Sequence, residues 1–351
     1  MLNVVDSTPM CFARTTWSLC AAAALAATLG CAASNQVAPR TSWGHPDLQG
    51  IWVGSTLTPI ERLPEHEGRR FLTEEEVTAL ETAALVEEER LQNRPAERAP
   101  AGGDVDYRPD GSLGADAFWF DEGTTWQPSR RTSLIVDPPD GRIPYLPSAR
   151  DHERPYGTGP WNSHIDLDTG ERCFGDGLPQ IWFGDNPNHQ IFQTPTDVVI
   201  LHEMYQQRRI IPIDGRPQTG ITQWNGEPRG RWEGSTLVVE SRYFPDRSRD
   251  RFRHVWRAPA ATLHVLERFT RVDAETIDYE TTITDPTRFR QPWIVRFVLS
   301  ADQSARGIAA GNLFEFACHE GNYALVNVLR GARVQDAVSA SRLAFEGRQR
   351  R

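Results

Sequence analysis

The stretch LHVLERFTRVDAETIDYETTITDP, residues 263–286, places two runs of β-branched and aromatic residues on either side of a polar turn, Asp273-Ala274-Glu275. This pattern reads as a β-hairpin. Pairing Val272 with Thr276 across the turn sets Phe269 opposite Tyr279, Glu267 opposite Thr281 and Val265 opposite Ile283, all on one face. Within that apolar row Glu267 is the exception. A carboxylate there must find a partner, for which Arg231 and Arg296 are the candidates, or give up its charge. A slip of one residue in the register would turn it to solvent.

Working outward, residues 229–244, RGRWEGSTLVVESRYF, read as a second hairpin turning at Glu233-Gly234-Ser235, and residues 293–299 add a strand. Upstream, residues 197–204, DVVILHEM, have two largely apolar faces, so either His202 or Glu203 points into an apolar layer; residues 209–212 form the partner strand. Residues 313–318 read as a strand feeding a short helix over 321–329. Strands joined by tight turns are antiparallel neighbours, and a long meander is most stable when curled or closed. The expectation is a mainly β fold: an antiparallel meander of about eight strands, as a lipocalin-like barrel or strongly curved sheet, with a two-sheet sandwich as the alternative.

One long helix precedes the strands. Thr73 caps it, Glu76 completes a capping box, Leu72 staples against Val77, and Pro95 closes the pattern. Two insertions, 95–116 and 144–190, are rich in Pro and Gly and lack regular patterns. The second has the size of a functional lid or binding loop. Residues 39–333 are thus a single β-rich domain, and 334–351 a charged tail.

The chain has 351 residues, enough for a real core. Its formal charge of −9 argues against a nucleic-acid partner held by phosphate neutralisation. Residues 1–38 are of another kind. Arg14 precedes an apolar run from Trp17 to Gly30, which has the length of a signal-peptide core. The run ends in Thr28-Leu29-Gly30-Cys31, which resembles a lipoprotein cleavage site with Cys31 as the lipidated residue, cleavage near Ala33 being the alternative. The expected location is periplasmic or anchored to the outer membrane, with membrane contact only through Cys31. Cys11 and Cys20 leave with the signal. Cys173 and Cys318 then remain in an oxidising compartment, where a disulfide is expected; the competing reading is a reactive or metal-binding Cys318 beside His319 and Glu320.

No G-x-S-x-G, H-E-x-x-H, phosphate-binding loop or dinucleotide fingerprint occurs, and no cofactor or metal is expected. The candidate catalytic residues are the ionisable groups that strand geometry can aim inward, Glu267, His202, Glu203 and Tyr279, with the His319–Glu320 corner. Trp119, Trp182, Trp232, Phe269, Arg231 and Asn322 are the candidate substrate-binding residues. An acid and a base among aromatic walls suit proton transfer on a small hydrophobic molecule, as in a lyase, isomerase, hydratase or cyclase. The same geometry suits a non-catalytic carrier. A third reading is an envelope interaction protein whose sheets are scaffold.

The phrases HPDLQGIWVGSTLTPIER, RTSLIVDPPDGRIP, QTPTDVVILHEM, RGRWEGSTLVVE and FACHEGNY resemble a large family of exported bacterial proteins of unassigned function, over nearly all of residues 42–333. In that family a His commonly stands near the end of the HEM strand and another after the GRP turn. Here those positions hold Gln206 and Gln218, so any chemistry of those histidines is lost or changed in this chain.

Overall fold

The computed structural model describes residues 38–92, 120, 121, 123–152, 159, 161–167, 169–175, 177–180, 184, 185, 187–247, 254–303, 310–320 and 322–349. The export segment with Cys31, the 95–116 insertion, Trp119 and Trp182 lie outside the described residues.

Strand β1 (Gly50–Trp52) is followed by helix α1 (Glu74–Gln92). The capping box forms as expected: the Thr73 amide donates to Glu76 Oε2 (2.8 Å) and the Glu76 amide to Thr73 Oγ1 (3.2 Å). Glu74, Glu75 and Glu76 fill the first turn, where the helix dipole favours negative charge. The helix is largely exposed, and its Glu81 accepts from the Trp126 amide (2.8 Å).

Strands β2 (Phe120–Asp121), β3 (Ile135–Asp137) and β4 (Gly184–Asp185) are short. Strands β5 (His189–Gln193), β6 (Asp197–His202) and β7 (Gln207–Pro212) join β1 in a four-stranded antiparallel sheet of order β1-β5-β6-β7. Strands β8 (Glu227–Glu233), β9 (Thr236–Arg242), β10 (His264–Arg271), β11 (Thr276–Thr284) and β12 (Trp293–Ser300) run as a meander, and β3 adds to the edge of β12. Strands β2 and β4 pair with each other.

The β10–β11 hairpin has the register read from the sequence, with Phe269 opposite Tyr279, Glu267 opposite Thr281 and Val265 opposite Ile283. Burial alternates strictly along both strands, so one face of each is inside. Ile191, Val198, Ile200 and Ile211 of the smaller sheet share one core with Val239, Val265, Phe269, Tyr279, Val295 and Phe297 of the larger.

No closed barrel is found among the described residues; the fold is two antiparallel sheets with two helices. On one side Val53 exchanges backbone hydrogen bonds with Ser300 (2.7 and 2.9 Å), stitching the end of β1 to the end of β12. On the other, β7 lies beside β8 without a ladder. Pro212 and Pro228 remove amide donors from those two edges, and the chain between them is too long for a tight turn. Gly230 permits the approach: a Cβ there would meet Ile213 Cγ2 at 2.7 Å and Ile211 Cγ2 at 2.9 Å.

Two local expectations are corrected. Residues 313–318 form no strand. Their backbone is taken by side chains instead, the Phe314 amide donating to Glu203 Oε1 (2.8 Å) and Gln206 Nε2 to the Phe314 carbonyl (3.1 Å). The last helix, α2 (Ala324–Gln349), is not short: it runs on through the charged tail, whose Ala- and Arg-rich sequence favours helix. The expected disulfide is present, joining Cys173 in the long excursion to Cys318.

Candidate functional site

The alternation that buries Val265 and Phe269 also buries Glu267 on β10, and the alternation that buries Ile211 buries Arg209 on β7. The two side chains meet between the sheets. Arg209 Nη1 donates to Glu267 Oε1 (2.9 Å), and its Nη2 donates to Oε2 and to Ser241 Oγ (3.4 Å). The Tyr279 hydroxyl donates to Glu267 Oε1 (3.0 Å). The partner of Glu267 is therefore Arg209, not Arg231 or Arg296. Those two sit on exposed faces and pair with Glu233 and Asp278 (2.6 and 2.8 Å).

The forked guanidinium and the phenol occupy both carboxylate oxygens of Glu267. Burial lowers the Arg209 pKa, and the adjoining Glu267 charge more than reverses this, leaving it raised. Burial, and then the same carboxylate, push the Tyr279 phenol well above its ordinary value of 10.0, so it stays a hydrogen-bond donor. Phe269 stacks against Tyr279 (4.8 Å between centroids), and Phe297 closes the other side at 5.0 Å.

A second inward group lies on the smaller sheet. His189 on β5 and His202 on β6 are register partners, their rings 4.6 Å apart, both buried. Burial pushes the His202 imidazole down to about 4, against the pull of the Met204 carbonyl. Burial, followed by the neighbouring His202, drives His189 well below 6.5. Both rings are neutral at pH 7. His202 Nδ1 lies 3.2 Å from the Met204 carbonyl oxygen, which only accepts, so Nδ1 carries the proton and Nε2 presents its lone pair. That Nε2 is buried and has no hydrogen-bond partner among the described residues.

Of the pair His202 and Glu203, it is His202 that faces the core along β6. Glu203 follows the strand and is buried in another way, accepting from Asn188 Nδ2 (2.5 Å) as well as from the Phe314 amide. The turn after it holds Tyr205 and Gln206 at φ 57° and 50°, two consecutive non-glycine residues in the left-handed region. Such strain persists only where the surroundings hold it. Here Gln206 is anchored to Phe314, and Tyr205 packs edge-on against Phe316 at 4.9 Å.

The structure thus brings Glu267, Tyr279 and Phe269 together and places His202 on the facing sheet. It does not bring in the remaining candidates. Trp232 packs against His45 near the tip of the β8–β9 hairpin (5.1 Å), and Arg231 lies exposed beside it. His319 and Glu320 are exposed at the disulfide, where Asn322 Nδ2 donates to Cys173 Sγ (3.3 Å). Arg209, His189 and Ser241 are not among the candidates that the sequence offers. The parity of Arg209 with Ile211, and of Ser241 with Val239, was the available signal. Among the described residues no group of three or more His, Cys, Asp or Glu side chains is placed to hold a metal ion. No family model matches this chain, and no match to it is found among the curated proteins or the solved structures.

Proposed function

We propose that the protein is an exported enzyme performing acid–base chemistry on a small, mostly apolar molecule, with His202 as the proton-accepting group. The observation that carries this reading is the buried Nε2 lone pair of His202, without a partner among the described residues, in a core where Glu267, its counterpart on the other sheet, is saturated. A lone pair in apolar surroundings suits a ligand that offers one hydrogen-bond donor. Where the ligand gives up that proton, the resulting imidazolium and ligand anion stabilise each other in the same low-dielectric space. Glu267 has a structural role here: both its carboxylate oxygens are taken up by Arg209. Export is supported by the apolar run after Arg14 and by the Cys173–Cys318 bond, which belongs to an oxidising compartment.

A carrier is the second reading, favoured by the fully occupied carboxylate of Glu267, since a ligand donor can be received by His202 without being deprotonated. Native mass spectrometry of the mature protein from its own host tests the shared part. A bound small molecule in the wild type that is lost in His202→Phe supports the site, and turnover of that molecule then separates enzyme from carrier. Retention of the same molecule by His202→Phe removes His202 from the function.

A further inference from the structure

A second site, independent of the core, lies where the chain before α1 meets β3. Phe71 and Arg131 form an isolated antiparallel bridge, flanked by hydrogen bonds from the Leu72 amide to the Arg130 carbonyl (2.8 Å) and from the Thr132 amide to the Arg70 carbonyl (3.1 Å). Thr132 also receives Arg62 Nε at its hydroxyl (2.9 Å), and the Arg296 amide donates to the Leu134 carbonyl (3.0 Å). One short stretch of chain, residues 131–134, thereby gathers five arginines, Arg62, Arg69, Arg70, Arg131 and Arg296, in a protein whose formal charge is −9.

Arg296 has Asp278, but Arg62, Arg70 and Arg131 make no ion pair among the described residues. Of the acidic residues at the start of α1, Glu76 is paired with Arg69 (2.6 Å), and the Glu75 carboxylate is held down by its own backbone amide and by Thr73. Arg62 is buried and satisfied only by neutral oxygens, Thr132 Oγ1 and the Pro139 carbonyl. Arg131 is half-buried. Its Nε is shielded and unpartnered, and its guanidinium lies over the Phe71 ring (5.5 Å to the centroid). Burial, then repulsion from Arg70, Arg62 and Arg296, lowers the pKa of Arg131. Like charges gathered around one short stretch, without an ion pair among the described residues, cost stability that a bound anion would recover.

We propose that Arg62, Arg70 and Arg131, with the exposed ring of Phe71 beside them, form a binding site for an oxyanionic group: a phosphate, sulfate or carboxylate. Guanidinium forks match such groups in geometry, and Phe71 offers an apolar platform for the body that carries the anion.

The test is calorimetric titration of the mature protein at low ionic strength with three probes, inorganic phosphate, sulfate and acetate, which separate a tetrahedral from a planar anion. Saturable binding of at least one probe is expected, weakened roughly tenfold or more by Arg131→Gln and by Arg70→Gln, since each removes a charge-assisted hydrogen-bond donor. Arg216→Gln, at a guanidinium already held by Asp214 (2.7 Å), should leave binding unchanged. Absence of saturable binding for all three probes, or equal binding by Arg131→Gln, overturns the site. A second readout needs no ligand: Arg70→Gln should leave the thermal midpoint of the anion-free protein unchanged or raise it, by relieving repulsion. A fall would show that Arg70 braces the fold, and would also overturn it.

Discussion

The β10–β11 hairpin and the β5–β6 pair each bury a titratable side chain in the same core, and they treat it in opposite ways. Glu267 is met by a forked guanidinium and a phenol, which leave neither carboxylate oxygen free. His202 is met by one carbonyl at Nδ1, and its other nitrogen has no partner among the described residues. The chemistry of the two groups explains the difference. A carboxylate keeps its charge in a dry interior only with compensation, whereas an imidazole survives burial by becoming neutral. Saturated groups hold a fold together; a neutral group with a spare lone pair is available to something else.

The largest expected effect would break the Glu267 side of this contrast. Glu267→Gln strands the Arg209 charge and should lower stability by roughly 3–5 kcal/mol in chemical denaturation. Replacing both partners, with Arg209→Met and Glu267→Leu, should recover most of that loss. An unaltered midpoint in the single variant would mean that the pair carries no structural charge compensation.

Next comes the disulfide, which ties the excursion to the segment that caps Glu203. Cys173→Ser should cost roughly 2–5 kcal/mol. A count of two free thiols in the mature, non-reduced protein would remove the bond altogether.

The His202 side is sharpened by pH. Between the ordinary value of 6.5 and the buried value of about 4, the unfolded chain binds a proton that the folded one refuses, so stability falls as the pH is lowered through that window. At about 1.4 kcal/mol per pH unit the window amounts to about 3 kcal/mol for His202, and His189 acts in the same direction. His202→Gln should flatten the slope between pH 6.5 and 4. An equal slope in the variant would show that His202 does not titrate there. The smallest effect is a control outside the comparison: Thr73→Ala removes the cap of α1 and should cost about 1 kcal/mol with no change in ligand binding.

Much of the fold was legible from residues 263–286 alone. A period of two in burial is imposed by strand geometry, and the Asp273-Ala274-Glu275 turn sets the pairing, so the inward position of Glu267 followed from the string. The same holds for the capping box at Thr73, where donor and acceptor are three residues apart. The failures involve partners distant in sequence. Residues 313–318 are a short, largely apolar run that reads as a strand but lie against Glu203 and Gln206, whose side chains take backbone bonds that a ladder would have used.

Local sequence determined which residues face inward along the β10–β11 hairpin and where it turns, because both depend on neighbours a few bonds away, and the cysteine count left Cys173 and Cys318 to be joined. Only the tertiary structure decided that Glu267 meets Arg209, 58 residues earlier, instead of Arg231 or Arg296. It alone decided that the two sheets share one core, with no closed barrel among the described residues, and that His202 Nε2 has no hydrogen-bond partner among them. Those outcomes depend on which faces pack together across the core, and packing of that kind has no periodic signature in the chain.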